Sequence, residues 1–251
     1  MLSNKEAVMT EYITTEGIPV YISRPDKDIK AGLIIIHEVW GLNDHTRNVA
    51  DRYAKEGYLV YAPDLLSGSG MEEKATTQLQ HDLFNPEKRN AVQPKLREFM
   101  APIQSPEFAV KTVQSLKKVF NKIYAEPSVK EKVAVLGFCF GGTYSYSLAV
   151  AEPRLIAVVP FYGHANQGVE ELAKIQAPIL AFYGEKDEGL ISALPDLENK
   201  MHEAKVDYSY RVYADCGHAF FNDTNPYSYN EQAASDAWKR SLDFLAKAAS
   251  Q

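Results

Sequence analysis

A strand, a glycine-rich turn and a helix follow one another between Lys132 and Ala151, and this succession constrains the fold more than any other feature of the chain. The β-branched run from Val133 to Val135 predicts a buried strand. The sequence Gly-Phe-Cys-Phe-Gly-Gly follows at residues 137–142, and residues 144–151 are compatible with a helix. This layout is typical of a nucleophile elbow, where a strained turn exposes one side chain at the end of a sheet and glycines let chain segments cross closely.

Cys139 stands at the elbow position where the pattern normally carries serine. The thiolate is the reactive form of cysteine, and the positive end of a helix dipole stabilises a negative charge placed there. Two interpretations of this residue follow from the turn alone. Cys139 is either a nucleophile or a buried structural cysteine in a tight turn.

Length, charge and cysteine content narrow the class of protein. A chain of 251 residues with 45% hydrophobic residues is ordinary for one α/β domain, and we expect a single domain over residues 1–251. The net charge of −6 does not suggest a nucleic-acid partner. No apolar run is long enough for a membrane span, and the first residues lack the apolar core of a signal peptide. Two cysteines make no disulfide framework, so we expect a cytoplasmic protein, and we expect neither a cofactor nor a metal ion.

Strand and helix patterns alternate along the rest of the chain. Strands are predicted at residues 11–15, 19–23, 32–37, 58–62, 155–161, 178–183 and 208–213, the first two forming an antiparallel hairpin around Gly17. Helices are predicted from Asn43 or Asp44 to about Glu56, after Pro106, and at residues 192–204 and 230–249. Repeated βα units predict an α/β fold with a mostly parallel sheet flanked by helices.

The segment from Leu66 to Ser105, called the excursion below, does not fit this alternation. It contains glycines, serines, prolines and mixed charges with weak periodicity. A connection this long inside a compact domain usually folds into short helices over a site or is partly disordered. Two interpretations are open: a lid over the elbow, or a simple surface excursion.

A nucleophilic Cys139 needs a base, and three histidines follow it in the chain. In chains with a nucleophile elbow, the order is nucleophile, acid, histidine. His202 lies in a polar helical stretch, and His164, although expected to line the pocket, comes too early for this order. His218 follows the predicted strand at 208–213, and the glycine before it allows a turn over the edge of the sheet. His218 is therefore the predicted base.

The acid that would orient this histidine is predicted at Asp187. This residue lies just beyond the strand at 178–183, at the sheet edge where open parallel sheets place their ligands. Asp215 is closer to His218 in sequence, but it shares the same loop and is expected to cap that turn.

The site also needs donors for a developing oxyanion. One is the backbone amide of Phe140, the residue after the nucleophile. The other is expected from the loop His-Glu-Val-Trp-Gly-Leu-Asn at residues 37–43, from the amide of Val39. The alternative for this loop is a plain strand-to-helix connection capped by Asn43.

Five motifs that occur in order carry a family resemblance. They are His37–Asn43, Tyr61–Leu65, Gly137–Gly142, Gly184–Asp187 and Gly217–Phe220. Together they resemble the dienelactone hydrolase family of the α/β-hydrolase fold, from about residue 10 to the C-terminus. The resemblance implies a sheet of about eight strands, a Cys139–His218–Asp187 triad, and oxyanion donors at Val39 and Phe140. Family members use a glutamate at the position of Glu38 to help deprotonate the cysteine when substrate binds.

The chain departs from the family at the residue four positions after the predicted catalytic histidine. The dienelactone enzymes carry there an arginine that anchors a substrate carboxylate and pairs with the glutamate, whereas this chain has Asn222. An amide supplies no bidentate, charge-assisted clamp, although Arg89 or Arg97 of the excursion could take its place. A neutral or aromatic ester or lactone is therefore the expected substrate. The substrate-binding candidates are Trp40, Tyr144, Arg89 and Asn222.

The sequence thus predicts a hydrolase that cleaves a small ester or lactone through a thiol ester on Cys139. The alternative is a non-hydrolytic redox sensor or binding protein on the same scaffold. A cysteine enzyme of the glutamine-amidotransferase-like type would place its histidine beside the cysteine, where this chain has Phe140. Cys216 is most simply a small buried residue, although a disulfide to Cys139 would silence the enzyme.

Overall fold

The computed structural model describes residues 8–69, 73–85 and 87–251. The strands are β1 (Val8–Thr15), β2 (Ile18–Pro25), β3 (Ala31–Ile36), β4 (Tyr58–Pro63), β5 (Val133–Phe138), β6 (Val158–Phe161), β7 (Ile179–Gly184) and β8 (Tyr208–Tyr213). The α-helices are α1 (Asp44–Lys55), α2 (Glu73–Phe84), α3 (Arg89–Met100), α4 (Pro106–Tyr124), α5 (Phe140–Ala151), α6 (Val169–Leu172), α7 (Glu188–Glu203) and α8 (Glu231–Ala249).

All eight strands join one sheet in the order β1-β2-β4-β3-β5-β6-β7-β8. β2 pairs antiparallel with β1 and with β4, and the remaining neighbours are parallel. Glu16 and Gly17 connect β1 to β2 with φ of 48° and 85°, as the tight primed turn of a hairpin requires. The predicted α/β fold, with its N-terminal hairpin and mostly parallel sheet, is confirmed.

The sheet is covered on both faces, which explains why its central strands are continuous apolar runs. In β3, Leu33 and Ile35 pack in one cluster with α1 and α8, while Ile34 and Ile36 pack in another with α4 and α5. All four side chains are fully buried. Successive side chains of a strand point to opposite faces, so a strand between two helical layers has no polar side.

Several element boundaries differ from the sequence-based prediction: β1 begins at Val8 rather than residue 11, and α5 begins at Phe140 rather than residue 144. β6 begins at Val158 rather than Leu155, because the Leu155 amide bonds back to the carbonyl of Glu152 and closes a turn after α5. α7 begins at Glu188 rather than Ser192, directly after Asp187, and Glu188 supplies the negative charge that favours a helix N-terminus.

The excursion folds into α2, α3 and a 3₁₀ turn at Ala101–Gln104. Its apolar residues pack on the loop after β3, in a cluster that includes Val39 and Trp40. This placement favours a cover over the sheet edge rather than a simple surface excursion. That the cover opens and closes stays a prediction. None of the helices in these described ranges combines the length and apolar content needed to cross a bilayer.

Candidate active site

Cys139 sits in the strained turn between β5 and α5. Its φ is 54° and its ψ is −110°, a conformation that non-glycine residues adopt rarely and mostly at functional sites. The segments before and after Cys139 approach so closely that a Cβ on Gly137 would lie 2.1 Å from the carbonyl oxygen of Gly141. A Cβ on Gly141 would lie 2.1 Å from the carbonyl oxygen of Ile36. The glycines that flank the cysteine are therefore required by the geometry of the elbow.

His218 and Asp187 meet at the same edge of the sheet, after β8 and β7. Nδ1 of His218 lies 2.5 Å from Oδ2 of Asp187. Asp187 stands at the N-cap of α7, yet its side chain makes no capping hydrogen bond and is directed to the histidine. The imidazole is also within hydrogen-bonding reach of Cys139. Asp215 instead pairs with Lys186 at 3.0 Å, so only Asp187 of the two candidate acids faces the histidine.

The charges of Cys139, His218 and Asp187 are coupled. Burial alone lowers the pKa of His218, but the charge of a Cys139 thiolate and the hydrogen bonds to Asp187 and Cys139 outweigh it. The pKa of His218 is therefore held well above its usual value of 6.5. A raised imidazole pKa beside a thiol favours a thiolate–imidazolium pair.

The loop after β3 is held by the ring of His37. Nε2 of this ring accepts the amide of Leu65 over 3.1 Å, so Nδ1 carries the proton and donates to the carbonyl of Glu38 over 2.5 Å. Burial lowers the pKa of His37, which keeps the ring neutral and this tautomer in place. The Glu38 carbonyl also accepts the amide of Gly41 over 3.2 Å. Two hydrogen bonds thus fix the plane of the Glu38–Val39 peptide.

Two backbone amides beside Cys139 are left without a partner. In a trans peptide the N–H points opposite to the preceding carbonyl, so the Val39 amide points away from His37. Within the described ranges, neither this amide nor that of Phe140 donates to any acceptor. Unpaired backbone amides are rare inside proteins, and both residues line the space around Cys139. The pair is placed as oxyanion donors would be.

Glu38 lies buried behind the nucleophile. Its Oε2 accepts the side-chain amide of Asn222 over 2.8 Å, and Oδ1 of Asn222 accepts two hydrogen bonds from Thr224. The other oxygen, Oε1, is buried and lacks a hydrogen-bond partner within the described residues, as does the hydroxyl of Tyr162. The two groups are close enough to interact: burial, and then the charges of Glu38 and Cys139, raise the pKa of Tyr162 well above 10.

Tyr162 and His37 are site residues that sequence reasoning did not single out. Tyr162 has a φ of 37°, unusual for a bulky residue, and its ring lies 5.0 Å from that of His218. The sequence contained a signal for both residues: each comes directly after a parallel strand. Catalytic and ligand-binding residues of parallel sheets lie at the edge where such strands end.

Two cavities open beside Cys139, and both are also lined by His218 and Val39. The first, which we call the leucine cavity, measures about 550 Å³ and includes Leu83 and Leu96 of the excursion. The second, which we call the α5 cavity, measures about 560 Å³ and runs along α5 and the loop after β6.

Two of the predicted substrate-binding residues line these cavities, and Asn222 does not. Trp40 lines the leucine cavity, and Tyr144 lines the α5 cavity, as does His164. Asn222 is fully buried and lines neither cavity, because Glu38 and Thr224 take its hydrogen bonds.

The arginines and the second cysteine do not join the site. Arg97 is exposed and lines neither cavity, and the side chain of Arg89 lies outside the described residues. Cys216 is a free, buried thiol whose pKa is raised by burial. The described ranges contain no group of three or more histidine, cysteine, aspartate or glutamate side chains that could hold a metal ion.

Comparison with known proteins identifies the family of this chain. Residues 18–249 match the model of the dienelactone hydrolase family. A proposed carboxymethylenebutenolidase from Saccharolobus solfataricus is 33% identical over 243 residues, which cover 91% of this chain and 93% of that protein. The structure of a proposed dienelactone hydrolase from Klebsiella pneumoniae superposes with a TM-score of 0.80 at 24% identity, covering 96% of this chain and 99% of that one.

A dienelactone hydrolase from Anabaena variabilis superposes with a TM-score of 0.68 at 14% identity, covering 97% of this chain and 99% of that one. At such identities the two structures establish the α/β-hydrolase fold, while the family model spans nearly the whole chain. The predicted resemblance is confirmed: this chain is a hydrolase that belongs to the dienelactone hydrolase family.

Proposed function

We propose that the protein hydrolyses a neutral ester or lactone through a thiol ester on Cys139. The observation that carries this proposal is the arrangement of three side chains. A cysteine in a strained elbow lines the same cavities as a histidine whose charge it influences, and that histidine donates its other ring N–H to Asp187. This is the arrangement that nucleophilic catalysis requires.

The reaction has two steps. The Cys139 thiolate attacks the carbonyl carbon, an S–C bond forms, and the amides of Val39 and Phe140 stabilise the oxyanion. The intermediate collapses, the C–O bond to the alcohol breaks, and the His218 imidazolium gives its proton to the leaving alkoxide. His218 then takes a proton from water, which attacks the thiol ester and releases the acid and the thiolate.

Glu38 is proposed to accept the thiol proton of Cys139 when substrate binds and to return it to the thiolate after the acid has left, while the His218 imidazolium keeps its own proton for the leaving alkoxide. Its orphaned Oε1 is a free acceptor, while Asn222 holds the other oxygen in place. Holding the carboxylate with an amide leaves its negative charge intact, whereas an arginine would neutralise it. Asn222 is thus proposed as a positioning residue for Glu38.

The substrate is proposed to be neutral because of the side chains that line the two cavities. Among the described residues, neither cavity lining contains lysine or arginine, and Glu38 is a carboxylate in the leucine cavity. The name of the Saccharolobus relative refers to a butenolide that bears a carboxymethylene group. A carboxylate of that kind would meet Glu38 here without a bidentate partner.

The test measures hydrolysis of 2,2,2-trifluoroethyl acetate by the wild type and by the variants Cys139→Ala, His218→Ala and Cys216→Ala. We expect the first two variants to lose activity by a factor on the order of 1,000 or more, because the groups act as a unit. Cys216→Ala is the matched control, since it removes the other buried thiol and should retain activity. Equal rates for all four proteins would overturn the proposal.

Mass spectrometry distinguishes hydrolysis from the alternative functions. After acid quenching during turnover, an acyl adduct on the peptide that contains Cys139, absent from the peptide that contains Cys216, supports the thiol ester. Oxidation of Cys139 by peroxide with no acylation by any ester would instead support a redox sensor. Ligand binding with neither modification would support a binding protein.

A further inference from the structure

Two cavities meet at Cys139. Cys139, His218, Val39 and Met100 line both the leucine cavity and the α5 cavity. Each cavity, at about 550 and 560 Å³, is within the range that binds small organic ligands. An ester carbonyl attacked at this junction has its acyl chain and its alcohol on opposite sides of the reacting carbon. One cavity is therefore available for each side.

The two cavities differ in chemical character. The excursion contributes Leu83, Leu96 and Met100 to the wall of the leucine cavity, and Trp40 adds an aromatic face. Polar residues also line this cavity, namely Glu38, Asn225, Tyr227 and Ser228, but the wall on the side of the excursion is apolar. The α5 cavity contains hydroxyl, amide and imidazole groups, among them Thr143, Ser147, His164, Asn166 and Gln167. An apolar arm is thus favoured on one side, and an arm with hydrogen-bonding groups on the other.

Gln167 is one of the polar side chains of the α5 cavity, and a hydrogen bond holds it in place. Its Nε2 donates to Ser147 over 2.9 Å, while its Oε1 is buried without a partner among the described residues.

We propose that the substrate is a neutral ester with two extended arms, an apolar arm in the leucine cavity and a hydroxyl-bearing arm in the α5 cavity. This inference rests on the proposed function, because it takes the ester carbonyl to be attacked by Cys139. It names a substrate class that differs from a compact lactone, whose two ends are tied into one ring.

The test uses two ester series that lengthen one arm at a time. Trifluoroethyl esters from acetate to octanoate lengthen the acyl arm, and phenyl acetates with para-alkyl groups up to hexyl lengthen the alcohol arm. Each series includes a hydroxyl-terminated and a carboxylate-terminated member. In the wild type, we expect kcat/KM to rise about threefold per methylene in both series until the cavity is filled.

Two blocking variants assign the arms to the cavities. Leu96→Trp fills part of the leucine cavity, and Ala109→Trp fills part of the α5 cavity. Each should abolish the length dependence of one series and leave the other series unchanged. The series that loses its length dependence in Ala109→Trp is the one whose arm binds in the α5 cavity. In that series alone, a terminal hydroxyl should raise kcat/KM. A terminal carboxylate should lower kcat/KM in both series. Val110→Trp is the matched control, because this neighbouring residue of α4 is 59% exposed and lines neither cavity.

Three results would overturn the inference: a flat length dependence in either series, both blocking variants acting on the same arm, or a preference for the carboxylate. Hydrolysis of trifluoroethyl acetate, which has no extended arm, shows whether a negative result contradicts the two-arm inference or the proposed function. If Cys139→Ala hydrolyses that small ester as fast as the wild type, the thiol-ester mechanism itself is wrong. If only the wild type hydrolyses it and the arm effects are missing, the two-arm inference alone is wrong.

Discussion

Asn222 donates its side-chain amide to Oε2 of Glu38 across 2.8 Å, and both side chains are buried. The amide satisfies one oxygen of the carboxylate but brings no positive charge to it. The other oxygen remains available on the side of Tyr162. This contact keeps Glu38 in place without a positively charged partner.

An Asn222→Asp variant should change the pH dependence of catalysis. Two carboxylates at hydrogen-bond distance resist joint ionisation, so they share a proton that is lost as the pH rises. While that proton is present, the new carboxyl donates to Glu38 as the amide did, and afterwards two negative charges face each other. We expect kcat/KM to approach that of the wild type at low pH and to fall more steeply with rising pH.

The measurement is kcat/KM for trifluoroethyl acetate between about pH 5 and 9. Asn230→Asp is the control, because Asn230 caps α8 and aspartate caps a helix equally well. Parallel profiles for Asn222→Asp and the wild type would contradict the prediction.

Removing the hydroxyl of Tyr162 should make Cys139 harder to ionise. The raised pKa of Tyr162 keeps this phenol protonated, so it remains a donor beside the negative charges of Glu38 and Cys139. In Tyr162→Phe, we expect the midpoint of the alkylation of Cys139 by iodoacetamide to move to higher pH, because the variant loses the polar hydroxyl beside these negative charges.

Tyr58→Phe is the control for this experiment. The Tyr58 hydroxyl is also buried without a partner in the described structure, and burial raises the pKa of Tyr58 to about 12. Its removal should leave the alkylation midpoint unchanged. An unchanged midpoint in Tyr162→Phe as well would assign Tyr162 a packing role only.

The titration of His218 should report on both of its partners. Because its pKa is raised well above 6.5 in the folded protein, the ring keeps its proton as the pH rises past 6.5 and loses it only at higher pH. Cys139→Ala removes the thiolate charge and Asp187→Asn removes the ionic hydrogen bond, so each should lower the pKa of His218. NMR titration of the ring protons measures this, with the exposed His202 as an internal reference. An equal pKa in all three proteins would contradict the coupling.

The elbow glycines should tolerate no side chain. In Gly141→Ala the new Cβ would meet the carbonyl oxygen of Ile36 at 2.1 Å, so the backbone must move. We expect the free energy of unfolding in urea to fall by about 3 kcal/mol or more, with loss of activity. Gly189→Ala in α7 is the control: no atom lies within 4 Å of its Cβ, and it should stabilise by about 0.5–1 kcal/mol. Equal stability of the two variants would argue against a strained crossing.

Local patterns were sufficient for most of the fold and for the predicted triad. β8 begins and ends where its alternation predicts, and Asn43 caps α1 with its side chain as expected. Cys139, Asp187 and His218 could be predicted because each follows a parallel strand in a fixed order, and parallel strands end at one sheet edge. The covering role of the excursion was left open because its weak periodicity did not indicate which surface it packs on.

The sequence by itself determined the α/β alternation, the elbow and the order of its partners, because these depend on neighbours a few residues apart. Only the tertiary structure decided which contacts those residues make. It placed Asp187 rather than Asp215 against His218 and turned Asn222 toward Glu38 and away from the cavities. It also brought the ring of Tyr162 to 5.0 Å from that of His218. Glu38 and Asn222 are 184 positions apart in the chain, so their hydrogen bond depends on how the sheet and its loops pack, which no local pattern encodes.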